Sequence, residues 1–76
     1  MTVKVYSTPT CPWCTRVKEY LSSKNVDFVD YDVSSDRDKA MEMITKSGQR
    51  GVPVVDIEGN IIIGFDQQNI DRFLNL

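Results

Sequence analysis

The chain has 76 residues, the size of one domain, and reads as a single unit over 1–76. Nine Lys and Arg against eleven Asp and Glu leave a net charge of −2, mixed along the chain with no basic block, which argues against a nucleic-acid or membrane-surface partner. Histidine is missing, which removes a His-activated cysteine nucleophile and a Cys/His zinc set, and no stretch nears the roughly 18 apolar residues of a membrane span.

The start, Met1-Thr2-Val3-Lys4-Val5, is polar and lacks the apolar run of a signal peptide, so the cytoplasm is the expected compartment. Val3 and Val5 alternate with Thr2, Lys4 and Tyr6, which predicts a strand near 2–6. Ser7-Thr8-Pro9-Thr10 breaks that pattern. A helix then fits 12–23: Pro12 suits the first helical position, where its missing N–H costs nothing, and Cys14, Val17 and Leu21 with Tyr20 form an apolar stripe. A second strand is expected near 27–32, where acids alternate with Phe28, Val29 and Tyr31. Ser35 followed by Asp38 resembles a capping box for a helix over about 36–47, with Ala40, Met41 and Ile44 toward the core and Gly48 as the stop. Val54–Ile57 and Asn60–Ile63 flank Glu58-Gly59 and read as a hairpin. Asp66 caps a last helix whose apolar face is Ile70, Phe73 and Leu74. The order β-α-β-α-β-β-α is an α/β arrangement: a crossover unit with parallel pairing, then an antiparallel hairpin and a helix, packed as a four-stranded mixed sheet flanked by helices.

Cys11-Pro12-Trp13-Cys14 holds the only two cysteines. A disulfide between them would close a ring of about four residues inside one helical turn and would tie no two elements together, so stapling is a poor reason for the pair. In a reducing compartment such a pair is more often catalytic or metal-binding than structural. Cys11 falls at the N-cap of the first helix, beside the unpaired N–H groups of the first turn, which favour negative charge. It is expected to supply an attacking thiolate, with Cys14, more buried and one turn in, as the resolving thiol. Trp13 reads either as an outward contact surface beside the sulfur or as a half-buried core aromatic. Arg16 and Lys18 follow; a nearby cation would favour a thiolate, yet exposed pairs contribute little and two surface cations need no special role.

Arg50-Gly51-Val52-Pro53-Val54 places a proline before an apolar run, so Pro53 should mark the start or edge of a strand. The low base rate of cis X–Pro bonds leaves it trans on local grounds. Gly64-Phe65-Asp66 reads as an N-cap aspartate after a loop glycine, or as a helix N-terminus able to receive a carboxylate.

Cys11-Pro12-Trp13-Cys14, Val52-Pro53 and Gly64-Phe65-Asp66, in this order over nearly the whole chain, resemble the glutaredoxins within the thioredoxin fold. The resemblance implies a thiol–disulfide oxidoreductase acting through Cys11 and Cys14 on protein disulfides or glutathione mixed disulfides, with glutathione as reductant. It also implies a cis Pro53 facing the cysteines. Pro12 and Trp13 would border the bound glutathione, and the Val52 backbone would meet an extended substrate. Gly64, Phe65 and Asp66 would hold the γ-glutamyl end, and Arg50 would meet the glycine carboxylate. A monomer without a metal is expected. The chain departs from the glutathione-using pattern at Thr8, where many members carry lysine, at Gly51, often threonine, and at Gln67, commonly a second acid. The Gly-Phe pair is also similar to redoxins served by thioredoxin reductase. A different class of reading takes the two thiolates as half of a zinc or iron–sulfur site completed in a dimer.

Overall fold

A computed structural model describes residues 2–76. The elements are β1 (Val3–Ser7), α1 (Pro12–Ser23), β2 (Val29–Asp32), α2 (Arg37–Ser47), β3 (Val54–Ile57), β4 (Asn60–Ile63) and α3 (Gln67–Leu74). The strands form one sheet in the order β2-β1-β3-β4. β1 runs parallel to β2 with Val5 opposite Asp30, and antiparallel to β3 with Val5 opposite Val55. β3 and β4 pair antiparallel across a two-residue turn in which Glu58 and Gly59 both have positive φ (53° and 90°), the twist that fits a tight hairpin. This is the expected thioredoxin-like architecture.

The pleat sends alternate side chains to two cores. On one face Val3, Val5, Val55, Ile57 and Ile62 meet Val17 and Leu21 of α1 and Ile70 of α3. On the other, Tyr6 and Val54 meet Met43 of α2. Each fully buried aliphatic side chain here contributes about 1.5–3 kcal/mol. The second face also carries a polar clamp. Lys46 Nζ lies 2.7 Å from Asp56 Oδ2 and 2.9 Å from the Tyr6 hydroxyl, which in turn donates to Glu42. Asp56 is only 6% exposed, and its second oxygen accepts from the Gly59 N–H at 2.7 Å, so the buried carboxylate is compensated on both sides.

Four expectations need correction. β1 extends through Ser7, which is buried rather than part of the break, because its hydroxyl donates to Asp30 Oδ1 at 2.6 Å. The second strand starts at Val29 rather than 27. The N-cap of α2 is Asp36, whose carboxylate accepts from Lys39 N at 3.1 Å, and Ser35 lies outside the helix. On that helix Met43 is buried while Met41 is 55% exposed. Ala40 and Ile44 lie one above the other on a helix, and either Met41 or Met43 can flank them; the sheet selects Met43.

Candidate active site

The site lies where three chain turns meet at one end of the sheet. Beyond β1, the Cys11 N–H donates to the Thr8 carbonyl at 3.4 Å, closing the approach to α1. Cys11 is the N-cap, with extended backbone (φ −99°, ψ 110°), and Pro12 occupies the first turn. The Cys14 N–H donates to Cys11 Sγ at 3.2 Å. The sulfur therefore takes the place a serine or aspartate oxygen has at other helix starts, bonded to an amide at the positive end of the helix.

Cys14 is fully buried and Cys11 partly exposed, so only one sulfur of the pair meets solvent. Burial first, and then the hydrogen bond with Cys11, push the Cys14 thiol up to about 11, while the Thr8 N–H and the Lys18 cation act in the opposite direction. Cys14 is thus a protonated thiol at neutral pH, waiting one turn below Cys11.

The second turn is the segment before β3. The Val52–Pro53 bond is cis, as the family resemblance implied and contrary to the trans expectation from local energetics. Pro53 is buried just ahead of a central strand, where its missing N–H breaks no ladder bond. Cys11 Sγ lies 3.9 Å from the Val52 carbonyl oxygen, so the motif at 11–14 and the proline loop face each other. In the third turn, the Gly64 N–H donates to the Pro53 carbonyl at 2.8 Å, fastening the α3 approach to the proline loop. Gly64 has φ 78°, a conformation any side chain would strain.

Trp13, Val52, Pro53, Gly64 and Phe65 line one open groove of about 270 Å³ beside Cys11. Trp13 is 55% exposed and so is not a core aromatic. The Arg16 guanidinium sits 4.8 Å from its ring centroid and covers part of it. Phe65 is backed by the Tyr20 ring at 5.6 Å. Asp66 is the N-cap of α3: Oδ1 accepts from Asn69 N at 3.2 Å and Oδ2 from Asn69 Nδ2 at 2.7 Å. The structure thus brings five of the expected site residues, Trp13, Val52, Pro53, Gly64 and Phe65, into one groove beside Cys11, with Asp66 next in the chain at the start of α3. Pro12 is exposed at the helix start, and Arg50 is exposed outside the groove lining.

Sequence reasoning missed the polar cluster behind the cysteines. Lys18 Nζ lies 2.9 Å from Asp30 Oδ2 and 3.4 Å from Ser7 Oγ. Only the register of β1 on β2 could have located it, and that register is a tertiary property. Among the described residues no three of His, Cys, Asp and Glu converge as a metal-ligand set.

Residues 3–62 match the glutaredoxin family model. The chain is 56% identical over 72 residues to a glutaredoxin-like 8.6 kDa protein of the rubredoxin operon of Clostridium pasteurianum, covering 95% of this chain and 96% of that one. It is 41% identical over 64 residues to glutaredoxin 3 of Escherichia coli, covering 84% and 77% respectively. Its structure superposes with a TM-score of 0.83 on the glutaredoxin-like NrdH-redoxin of Escherichia coli, a protein with a thioredoxin-like activity profile, at 26% identity and covering 95% and 93% of the two chains. With a single exposed sulfur at a helix start, a buried thiol one turn below it and a cis-proline loop opposite, the chain belongs to the glutaredoxin family of thiol–disulfide oxidoreductases.

Proposed function

We propose that Cys11 is the nucleophile and Cys14 the resolving thiol of a glutathione-linked reductase of protein disulfides and glutathione mixed disulfides. The observation that carries this reading is the split of the pair: Cys11 Sγ at the α1 N-terminus facing the groove, Cys14 buried one turn below. The Cys11 thiolate attacks a substrate disulfide; one sulfur of the substrate joins Cys11 and the other leaves as a thiolate with the electron pair. Cys14 then loses its proton and attacks the Cys11 sulfur. A Cys11–Cys14 disulfide forms and the second substrate thiol departs. Two glutathione molecules return the pair to the dithiol and leave as glutathione disulfide, which balances the two electrons delivered.

The groove supports an extended substrate. Val52 offers its backbone as an added strand would, Trp13, Pro53 and Phe65 supply apolar walls, and the N-terminus of α3 with Asp66 receives the γ-glutamyl end. Pro12 borders the same side chain path, and Arg50 reaches a glycine carboxylate by swinging in from its exposed position. The protein acts as a monomer in the cytoplasm.

A specific observation favours a second reductant, thioredoxin reductase. The groove walls are apolar and, among the described residues, no cation is part of their lining. The likeness to NrdH-redoxin points the same way. The test is to incubate Cys14→Ser with oxidised glutathione and weigh the product, which should gain one glutathione. In parallel, wild-type protein is coupled to glutathione with glutathione reductase, and separately to thioredoxin reductase. Turnover with the first couple supports the glutathione reading; turnover with the second alone replaces it. Full turnover by Cys11→Ser defeats the mechanism.

A further inference from the structure

Cys14 poses a problem that the exposed sulfur does not. It must become a thiolate to resolve the mixed disulfide, yet it is fully buried. Among the described residues the cation acting on it is Lys18, one turn further along the same face of α1. Lys18 does not wave free in solvent. Its Nζ pairs with Asp30 at 2.9 Å and touches Ser7 Oγ at 3.4 Å, and Ser7 Oγ itself donates to Asp30 at 2.6 Å. Ser7 is the last residue of β1 and is 2% exposed, so the ammonium is held against the end of the strand that leads into the active-site turn, on the helix face that carries Cys14.

We propose that Lys18, fixed by Asp30 and Ser7 behind the active-site turn, is the positioning residue that stabilises the Cys14 thiolate as it attacks the mixed disulfide on Cys11. This rests on the dithiol reading above. In the step concerned the Cys14 proton is released to solvent. The new Cys11–Cys14 bond then forms as the bond from Cys11 to the substrate sulfur breaks, and the electron pair leaves on the substrate thiolate. The Lys18 charge opposes the cost of a buried anion. Among the described residues the titratable groups acting on Cys14 are Lys18 from α1 and Cys11 from its N-cap, with the Thr8 backbone in the β1–α1 turn and, from β2, Asp30 acting through Lys18. Arg16, the other cation of the helix, is committed to the Trp13 ring.

The test uses 5,5′-dithiobis(2-nitrobenzoate) in large excess with the full-length protein in stopped flow. The first thionitrobenzoate released reports capture by Cys11, at a rate that depends on reagent concentration. The second reports resolution by Cys14, at a rate that does not. Losing a nearby, partly exposed cation raises the ionisation midpoint by about one unit. That leaves about tenfold less thiolate, partly offset by an about threefold more nucleophilic sulfur, so Lys18→Met should slow the second phase about three- to fourfold at pH 7. Its pH profile should move upward, the first phase should stay within about twofold, and Lys18→Arg should restore most of the loss. The inference is overturned by a second phase equal to wild type across pH 6–9, by equal slowing of both phases, or by Lys18→Arg behaving like Lys18→Met. Release of only one thionitrobenzoate by wild-type protein overturns the dithiol reading itself, and this inference with it.

Discussion

Replacing Asp66 by alanine removes the acceptor for the first turn of α3. Two hydrogen bonds are lost together, from Asn69 N at 3.2 Å and Asn69 Nδ2 at 2.7 Å, and so is the negative charge beside the positive end of the helix. α3 has only eight residues, yet it carries Ile70, which is fully buried against the sheet. Loss of a good N-cap costs about 1 kcal/mol, and the lost charge a further few tenths. For a domain of this size a loss of about 1–1.5 kcal/mol lowers Tm by roughly 4–12 °C. Asp66→Asn keeps an acceptor for the Asn69 N–H and gives up only the bond from Asn69 Nδ2, which can turn to solvent; because Asn and Asp are about equal as N-caps, it should stay within about 0.5 kcal/mol of wild type. The two variants also separate stability from recognition. A carboxylate has about four lone-pair directions, and Asn69 uses two, so the rest can meet an ammonium group of the substrate. Under the glutathione reading, Asp66→Asn should raise KM for a glutathione mixed disulfide severalfold at nearly constant kcat, without the fall in Tm. Thermal unfolding followed by circular dichroism and steady-state kinetics with a glutathionylated peptide measure both effects. An unchanged Tm in Asp66→Ala refutes the capping argument, and an unchanged KM in Asp66→Asn refutes the proposed contact.

Leu21→Ala removes a fully buried side chain from the core between α1, α3 and the sheet, and should cost about 2–5 kcal/mol in urea unfolding with an unchanged m-value. Lys46→Met leaves the Asp56 carboxylate with the Gly59 N–H alone; because Lys46 is 28% exposed, a loss of about 2 kcal/mol is expected, and double replacement with Asp56→Asn should recover part of it. Burial holds the reduced Cys14 thiol up at about 11 against an ordinary value of 9.0, so the folded state binds this proton more tightly than the unfolded one. That stabilisation is fully present below about pH 9 and is lost as the pH rises through about 11, on the order of 2 kcal/mol in all. Urea unfolding of the reduced protein between pH 8 and 11 should show the decline, and Cys14→Ala should lack most of it.

Much of the fold is legible residue by residue because the signals are local. Pro12 begins α1 for want of an N–H, Gly48 ends α2 at φ 73°, Glu58-Gly59 turns the hairpin, and Asp66 caps α3. The failures share one cause. Ser35 and Asp36 are adjacent capping residues with nearly equal intrinsic merit, and Met41 and Met43 flank the same helical stripe. In each pair the local energies are close and contact with the rest of the molecule decides. Ser7 looks like a loop residue until Asp30 is brought beside it by the parallel pairing of β1 and β2.

What the amino-acid order determined unaided was the placement of residues 11–14: two cysteines three apart, with a proline between them that starts a helix, put one sulfur at the helix end and the other a turn inside. What tertiary packing alone decided was everything set across from them. The Val52 carbonyl facing Cys11, the apolar groove with Trp13 as its outer wall, and the Lys18–Asp30–Ser7 cluster all join residues far apart in the chain, and the cis bond before Pro53 sits in the loop they enclose. Such contacts are set by strand register and by how helices seat on the sheet, and no local preference along the chain encodes them.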